Sequence, residues 1–468
     1  MNNKDRSRQA ITNTIKKLAP AIMTALIATA LGLLSLYTSP VPMIQDFGKM
    51  LSIGMVVSFI AALFILLAVL FLRDSLFTNE GELIKKKSGK GNKEIDGFES
   101  VMRKIAKFTL KFKYAILIIA VSTAAVGVYF DQEVGVETDI ETFMPQDTPE
   151  LLDIQELREI IGTTEQLSIV FSDDAIFTDE NINWMVDMTN SLEAEFPEEV
   201  ISVRSITSVL EQLTTDPLNA ASVGVLTTNL PEEQLKMLVN EDLTKGVIIV
   251  SIKALEPEDL EDFIADLRTF LDESGSSMDL TVTGQAVIDV EMITALTTGR
   301  YTITLVGMLL VFLGLLVIYR NPLKAVLPLI PISLIVGWSG GFMYIFGLEY
   351  TPLTATLGAL IIGIGTEFTI LVMERYYEEK EKAESTEAAI ETTIGKMGKP
   401  IIASALTTIG GFSALVISDF EILSNFGVMT LVNISLALLS TIIVMPAVLS
   451  LQDSMIQKAK KKKTVKSS

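Results

Sequence analysis

The sequence predicts an α-helical polytopic membrane protein of about eight spans, arranged two plus six, with one extracytoplasmic α+β domain of ferredoxin-like form. Three observations lead there: charge-free apolar blocks of membrane-crossing length, one long acidic stretch between the third and fourth blocks, and basic residues in the remaining loops. Hydrophobic residues make up 49% of the 468 positions, and mean hydropathy is +0.45, above the level of an ordinary soluble domain. The apolar residues collect near 20–38, 47–72, 113–130, 301–319, 325–347, 352–373, 400–418 and 424–448. Each block can cross a hydrocarbon core of about 30 Å. A soluble helix of such length would carry a polar stripe at 3.6 spacing, and Ile401–Phe412 carries none.

Charge sets the expected orientation. Residues 131–299 hold 37 acidic and 6 basic side chains, a net charge of −31 against −20 for the whole chain. Lys16 and Lys17, Lys85–Lys87 with Arg103 and Lys104, Arg320 with Lys324, and the Lys458–Lys463 tail mark loops that stay cytoplasmic. Both termini are therefore expected inside the cell membrane and residues 131–299 outside. The N-terminus is polar and basic before the first block, without the pattern of a removable signal peptide.

An internal repeat organises the spans. At a constant offset of 379, Ala10-Ile11 match Ala389-Ile390, Thr14-Ile15 match Thr393-Ile394, and Lys17 matches Lys396. Thr29 then falls on Thr408, Gly32 on Gly411, Leu36 on Leu415, Phe47-Gly48 on Phe426-Gly427 and Met50 on Met429. Composition alone does not align Thr-x-x-Gly and Phe-Gly pairs at one offset. The unit is an amphipathic helix, a span with small residues on one face, a short turn and a second span. Residues 1–72 read as the last two helices of a first half and 73–112 as a basic cytoplasmic linker. Residue 113 to 130 is the first helix of a second half, 131–299 its outer domain, 300–450 a five-helix bundle and 451–468 a basic tail. Duplicated six-span halves are a transporter architecture, so a complete first half would need roughly 270 further residues before Met1.

Within 131–299, the runs 165–172 and 245–254 are β-rich, and further strands fit 200–207 and 279–284. Helical patterns follow at 179–195 and at 257–273, the latter opened by Pro257 and acidic residues. The order is that of a split β-α-β fold. Residues 208–240 read as a helical, mobile insert. The domain's many carboxylates lack the apolar, partnered setting of catalytic acids, so binding or conduction is expected of it rather than catalysis.

The sixth block contains a carboxylate. Glu367 lies inside Thr351–Lys382, ahead of the charged Glu374-Arg375 end. An ionisable group at that depth is costly to insert charged and is by default a functional candidate. Gly358, Gly363 and Gly365 allow close helix approach, as Gly411 does on the next span, and Thr366 and Thr369 supply hydroxyls. Ser404, Thr407 and Thr408 are placed to hydrogen-bond Glu367 across a tight interface. Glu367, Thr366, Ser404 and Thr408 thus form the expected proton relay. Asn433 in the last block reads as structural packing.

The chain contains no cysteine and no histidine, which excludes disulfides, thiolate chemistry, Cys/His metal sites and histidine triads. No activated nucleophile or phosphate-binding loop is visible, so no enzyme, cofactor, metal or nucleic-acid role is expected. The run Gly363–Glu379, GIGTEFTILVMERYYEE, resembles the fourth-helix signature of the resistance–nodulation–division (RND) transporters. It is closest to the hydrophobe/amphiphile exporters akin to the mycobacterial large membrane proteins, which have a sterol-sensing-like membrane domain. Val134–Pro145, the Tyr319-Arg320-Asn321-Pro322 turn and Thr408–Phe412 carry the likeness along nearly the whole chain. The resemblance implies a porter domain and proton-driven export of lipids, drugs or other amphiphiles, with Glu367 as proton carrier. Glu367-Phe368 stand where that family usually has Asp-Tyr, so one partner hydroxyl is absent. The implied partners are the bilayer, amphiphilic small molecules, and a missing half or a second copy. A protein-translocation accessory of the same superfamily, a non-transporting fragment and a lipid-sensing membrane protein are the alternatives.

Overall fold

The computed structural model describes residues 20–466 apart from 67, 70, 74–90, 138–141, 144, 146–147, 150, 154–164, 215, 229, 254 and 256. The Ala10–Lys17 part of the repeat, Lys85–Lys87 and the side chains of Lys458–Lys463 lie outside the described residues. The chain divides into two compact units, Met1–Pro145 with Ala295–Ser468, and Gln146–Thr294.

Among the described residues, eight helices are long and apolar enough to cross a membrane. They are α1 (Pro20–Thr38), α2 (Pro42–Ile65), α4 (Lys113–Asp131), α10 (Gln285–Tyr319), α11 (Pro322–Phe346), α12 (Thr354–Lys380), α13 (Thr386–Val416) and α14 (Glu421–Gln457). A further helix, α3 (Gly91–Lys111), falls in the stretch read as a linker and lies along α13. Gly395 and Gly398 of α13 admit the Arg103 and Met102 side chains. The eight spans coincide with the eight apolar blocks. Where the helices overrun the blocks, polar residues continue the helix beyond the apolar window. α10 starts at Gln285 rather than near 301, and α13 starts at Thr386, with Pro400 inside the helix.

Local chemistry sets several boundaries. Asn321 caps α11, accepting from Leu323 N–H and Lys324 N–H, with Pro322 in the first turn. Gly347, at φ 63°, ends the same helix in the left-handed conformation. Ser385 caps α13 by accepting from Ala388 N–H.

The repeat is visible in the backbone. Val41 and Phe420, offset by 379, precede α2 and α14 with the same φ of −82° and ψ of 116°. Both second helices are interrupted by a π turn, at Ala62–Leu66 and at Ser440–Val444. Gly48 lies against Leu36 and Gly427 against Leu415, so the Phe-Gly pairs mark a close turn contact in each copy. Phe47 and its counterpart Phe426 meet edge to face, with centroids 5.7 Å apart. α12 is the central helix: 78% of its apolar window is buried, against 11% for α13.

The second unit is built on a four-stranded antiparallel sheet of β1 (Glu165–Ser172), β2 (Val200–Arg204), β3 (Lys245–Ile252) and β4 (Asp279–Gly284), in the order β2-β3-β1-β4. This is the split β-α-β arrangement expected from the sequence. Ile169 pairs with Ile248 on one side and Val282 on the other. Leu167, Ile169 and Phe171 alternate inward and are fully buried. Gly246 on β3 lies directly under the Phe171 ring, where a Cβ would collide with it. Helices α5 (Asp179–Glu195) and α9 (Pro257–Glu273) complete the core with Ile182, Met185, Leu192, Phe263 and Leu267. Between β2 and β3 the insert forms three short helices, α6 (Ile206–Glu211), α7 (Ala220–Thr227) and α8 (Glu232–Leu238). Ser205 and Asn219 open the first two with reciprocal capping boxes.

Candidate functional site

The glycines singled out on α12 each admit a neighbour. A Cβ at Gly358 would strike Thr304 of α10, one at Gly363 would lie 3.0 Å from Thr29 of α1, and one at Gly365 would lie 3.1 Å from Ile332 of α11. Thr29 Oγ1 donates to the Gly363 carbonyl at 3.0 Å, and Gly32 sits against Ile362. Helix α1 is thus seated on α12 by a hydroxyl and a missing side chain, the usual means of close approach in a bilayer.

Among the described residues the expected relay is not assembled as a hydrogen-bonded group. Thr366 is fully buried and donates to the Gly363 carbonyl, and Thr369 donates to the Gly365 carbonyl. Thr408 donates to the Ser404 carbonyl of its own helix. A helical threonine reaches its own preceding carbonyl more readily than a neighbouring helix. Glu367 and Ser404 are exposed at the chain surface, and Gly411 has open space where a Cβ would stand. Glu367 therefore faces away from the core that buries Thr366, Phe368 and Thr369 around it. The sequence located its depth in the span but not its direction.

A second polar centre was missed by the sequence reading. Asp131 ends α4 and Arg300 lies on α10, each only 7% exposed. Arg300 Nη1 donates to Asp131 Oδ1 at 2.9 Å, and its Nη2 donates to the Asp131 carbonyl at 3.1 Å. Tyr301 Oη donates to Asp131 Oδ2 and Tyr350 Oη to Oδ1, both at 2.5 Å. The guanidinium carbon stands 3.7 Å from the Tyr350 ring centre. Burial pushes the Tyr350 phenol above its ordinary range. A Cβ at Gly340 of α11 would collide with the Asp131 carboxylate, so that glycine makes the room. Tyr350 is held in turn by a backbone bridge: its N–H donates to the Gly135 carbonyl and its carbonyl accepts from Glu137 N–H. A cavity of about 40 Å³ adjoins this network, lined also by Thr304, Ser339 and Thr354. The available signal was a charged residue at the end of one apolar block and another at the start of the next.

The opposite end of α12 carries a further network. Asp453 of α14 is buried and accepts from Tyr376 Oη and Thr386 Oγ1, each at 2.8 Å, and contacts Lys380. Glu379 accepts from Lys396 at 3.1 Å and pairs with Arg375. Among the described residues no cluster of three or more carboxylates is placed to hold a metal ion.

The MMPL family model matches residues 1–88 and 155–467. A membrane protein of Methanocaldococcus jannaschii is 24% identical over 367 residues, 75% of this chain and 94% of its own length. The apo-petrobactin exporter of Bacillus anthracis is 24% identical over 261 residues, and the sulfolipid-1 exporter MmpL8 of Mycobacterium tuberculosis 27% over 184. These matches span 52% and 38% of this chain but only 35% and 17% of those exporters. In fold, the chain resembles the hedgehog release protein Disp from the water bear Hypsibius dujardini, with a TM-score of 0.70 at 13% identity, over 94% of this chain and 59% of that one. It also resembles SecDF, a translocon-associated membrane protein of Thermus thermophilus, at 0.53 and 16% identity, over 96% of this chain and half of that one. The matched family model, spanning both the leading helices and the glycine–carboxylate helix, makes this chain a member of the MMPL family, a membrane protein of the RND type.

Proposed function

We propose that the chain is part of a proton-driven exporter of hydrophobic or amphiphilic compounds, in which Glu367 takes up and releases the proton. In this reading the basic ends face the cytoplasm and residues 131–299 stand outside. Relatives named as exporters of sulfolipid-1 and of apo-petrobactin support the class of cargo.

The asymmetry of the repeat carries the proposal. In the first copy, Thr29 and Gly32 are seated on Gly363 and Ile362 of α12. In the second, among the described residues, Thr408 donates to the Ser404 carbonyl of its own helix and Gly411 is open. Exposed Ser404 and Glu367 share this exposure within the bilayer-spanning part. A carboxylate left against lipid is costly, and small and hydroxyl residues favour helix contact. We assign this face to a partnering half, supplied by another polypeptide or a second copy, which encloses Glu367 and completes the relay with Ser404 and Thr408.

The test is transport by the complete assembly in proteoliposomes under an imposed pH gradient, with a fluorescent amphiphile as cargo. Glu367→Gln is expected to lower gradient-driven transport at least tenfold, with Glu367→Asp retaining part of it. Undiminished transport by Glu367→Gln removes this residue from the mechanism.

A further inference from the structure

Asn433 lies on α14 in the interior of the helical bundle, 4% exposed, and neither its amide nitrogen nor its amide oxygen has a hydrogen-bond partner among the described residues. Thr430, one turn earlier and fully buried, has an unpartnered hydroxyl as well. Both face apolar side chains, Leu360, Ile361 and Ile364 of α12, around a cavity of about 10 Å³. A residue that served only packing would be replaced without loss by an apolar one of the same shape. In a bilayer no bulk water reaches these groups, and the remaining way to satisfy them is an ordered internal water. The room is at the lower edge of what one water molecule needs, and Asn433 and Thr430 are the polar residues beside it.

The position of this cavity gives it a second meaning. Ile361 lines it and also lines the cavity of about 40 Å³ beside Asp131, Arg300 and Tyr350. On the other side lies Ile364, and Glu367 follows one turn later, about 4.5 Å along the axis. Gly358, Ile361, Ile364 and Glu367 form one i, i+3 row, in which each step turns back about 60° around the helix. The polar cavity, the Asn433 cavity and Glu367 follow this row in order. We propose that Asn433 and Thr430 bind an internal water, and that this water is the middle station of a hydrated path winding along α12 to Glu367, with the Ile361 side chain as its valve. An apolar side chain between two small hydrated spaces stops conduction by dewetting and opens by a change of rotamer. The water site stands on the unpartnered atoms alone, and the path rests on the proton role proposed for Glu367.

The experiment uses the full chain in lipid nanodiscs. X-ray radiolysis converts ordered internal water into hydroxyl radicals, which oxidise adjoining side chains and are read by mass spectrometry. Leu360, Ile361 and Ile364 are expected to be modified at least fivefold more than Ile370, a fully buried residue of the same helix. Asn433→Leu is expected to remove that excess, and Asn433→Ser, which keeps a hydroxyl, to preserve it. Modification at the Ile370 level in the wild type, or an excess that survives Asn433→Leu, overturns the water site. The path is read separately, from hydrogen–deuterium exchange of the Glu367 carboxyl stretch in the infrared, assigned by its loss in Glu367→Gln. Exchange is expected to slow at least tenfold in both Asn433→Leu and Ile361→Trp. Unchanged exchange in either variant, or no exchangeable carboxyl band at residue 367, overturns the path. Transport by Glu367→Gln is a separate measurement, so a failed exporter reading and a failed path give different results.

Discussion

Replacing Asp131 by alanine removes the acceptor on which three donors converge. Arg300 loses its 2.9 Å partner, and the hydroxyls of Tyr301 and Tyr350 lose theirs. The guanidinium keeps the residue-131 carbonyl at 3.1 Å and the Thr297 carbonyl at 3.2 Å, with the Tyr350 face at 3.7 Å. Its charge nevertheless stays in a site that is 7% exposed. Breaking a buried pair from one side costs about 3–5 kcal/mol, because the remaining charge is uncompensated. The buried Tyr350 hydroxyl is stranded as well, whereas Tyr301 Oη still accepts from Arg300 Nη2 at 3.0 Å, so the expected loss lies within that range. The double variant Asp131→Leu with Arg300→Met removes both charges, and it is expected to cost at least 2 kcal/mol less than Asp131→Ala, on the same reasoning. The assay is reversible unfolding in mixed micelles, followed by helix circular dichroism over a denaturing-detergent titration. A single-variant loss below about 1 kcal/mol, or a double variant less stable than the single, would refute the claim that this pair ties α4 to α10.

Three other outcomes follow from the packing and the protonation states. Gly127→Val places a branched side chain against the Gly337 carbonyl of α11, where even a Cβ collides; a loss of about 1–3 kcal/mol is expected in the same assay. Leu267→Ala hollows the fully buried core under the sheet of the second unit and is expected to cost about 2–5 kcal/mol, read from protease susceptibility of that unit. Tyr350 is held protonated by burial, so the folded state binds its proton more tightly than the unfolded state does. That contribution is whole below the ordinary tyrosine value of about 10 and is lost as pH rises above it. Ultraviolet titration is expected to show Tyr350→Phe lacking one late-ionising tyrosine, with a shallower fall in stability above that pH.

Much of the fold was legible because its signals are local. An apolar block declares a span by length and absence of charge, wherever in the bundle the span sits. The strands at 165–172 and 279–284 and the helices at 179–195 and 257–273 appear in the structure with those same bounds, since alternation, capping residues and prolines act within a few positions. The repeat was equally legible, because a constant offset needs no structure to detect.

The candidate site was legible only in part. Glu367 could be placed at a depth, yet whether it pointed into the core or out of it depends on how α12 is rotated against α1, α11 and α13. Ser404 and Thr408 were expected to reach it, but their direction too is set by helix rotation, and Thr408 satisfies its hydroxyl on its own helix. Asp131 and Arg300 are 169 residues apart, and each taken singly looks like a charge marking the edge of an apolar block. Asn433 read as packing, and only the neighbours across α12 reveal that its amide has no hydrogen-bond partner among the described residues.

By itself the sequence determined that the protein crosses a membrane, how many times, where the acidic α+β domain is inserted and which two stretches are copies of one unit. These follow from transfer free energies and backbone preferences, which are sums over neighbouring residues. Only the tertiary structure decided which glycines admit a neighbouring helix, which buried charges find each other, and which copy of the Thr-x-x-Gly face is covered. Those depend on contacts between residues remote in the chain, and a change of a few degrees in helix rotation exchanges a buried side chain for an exposed one.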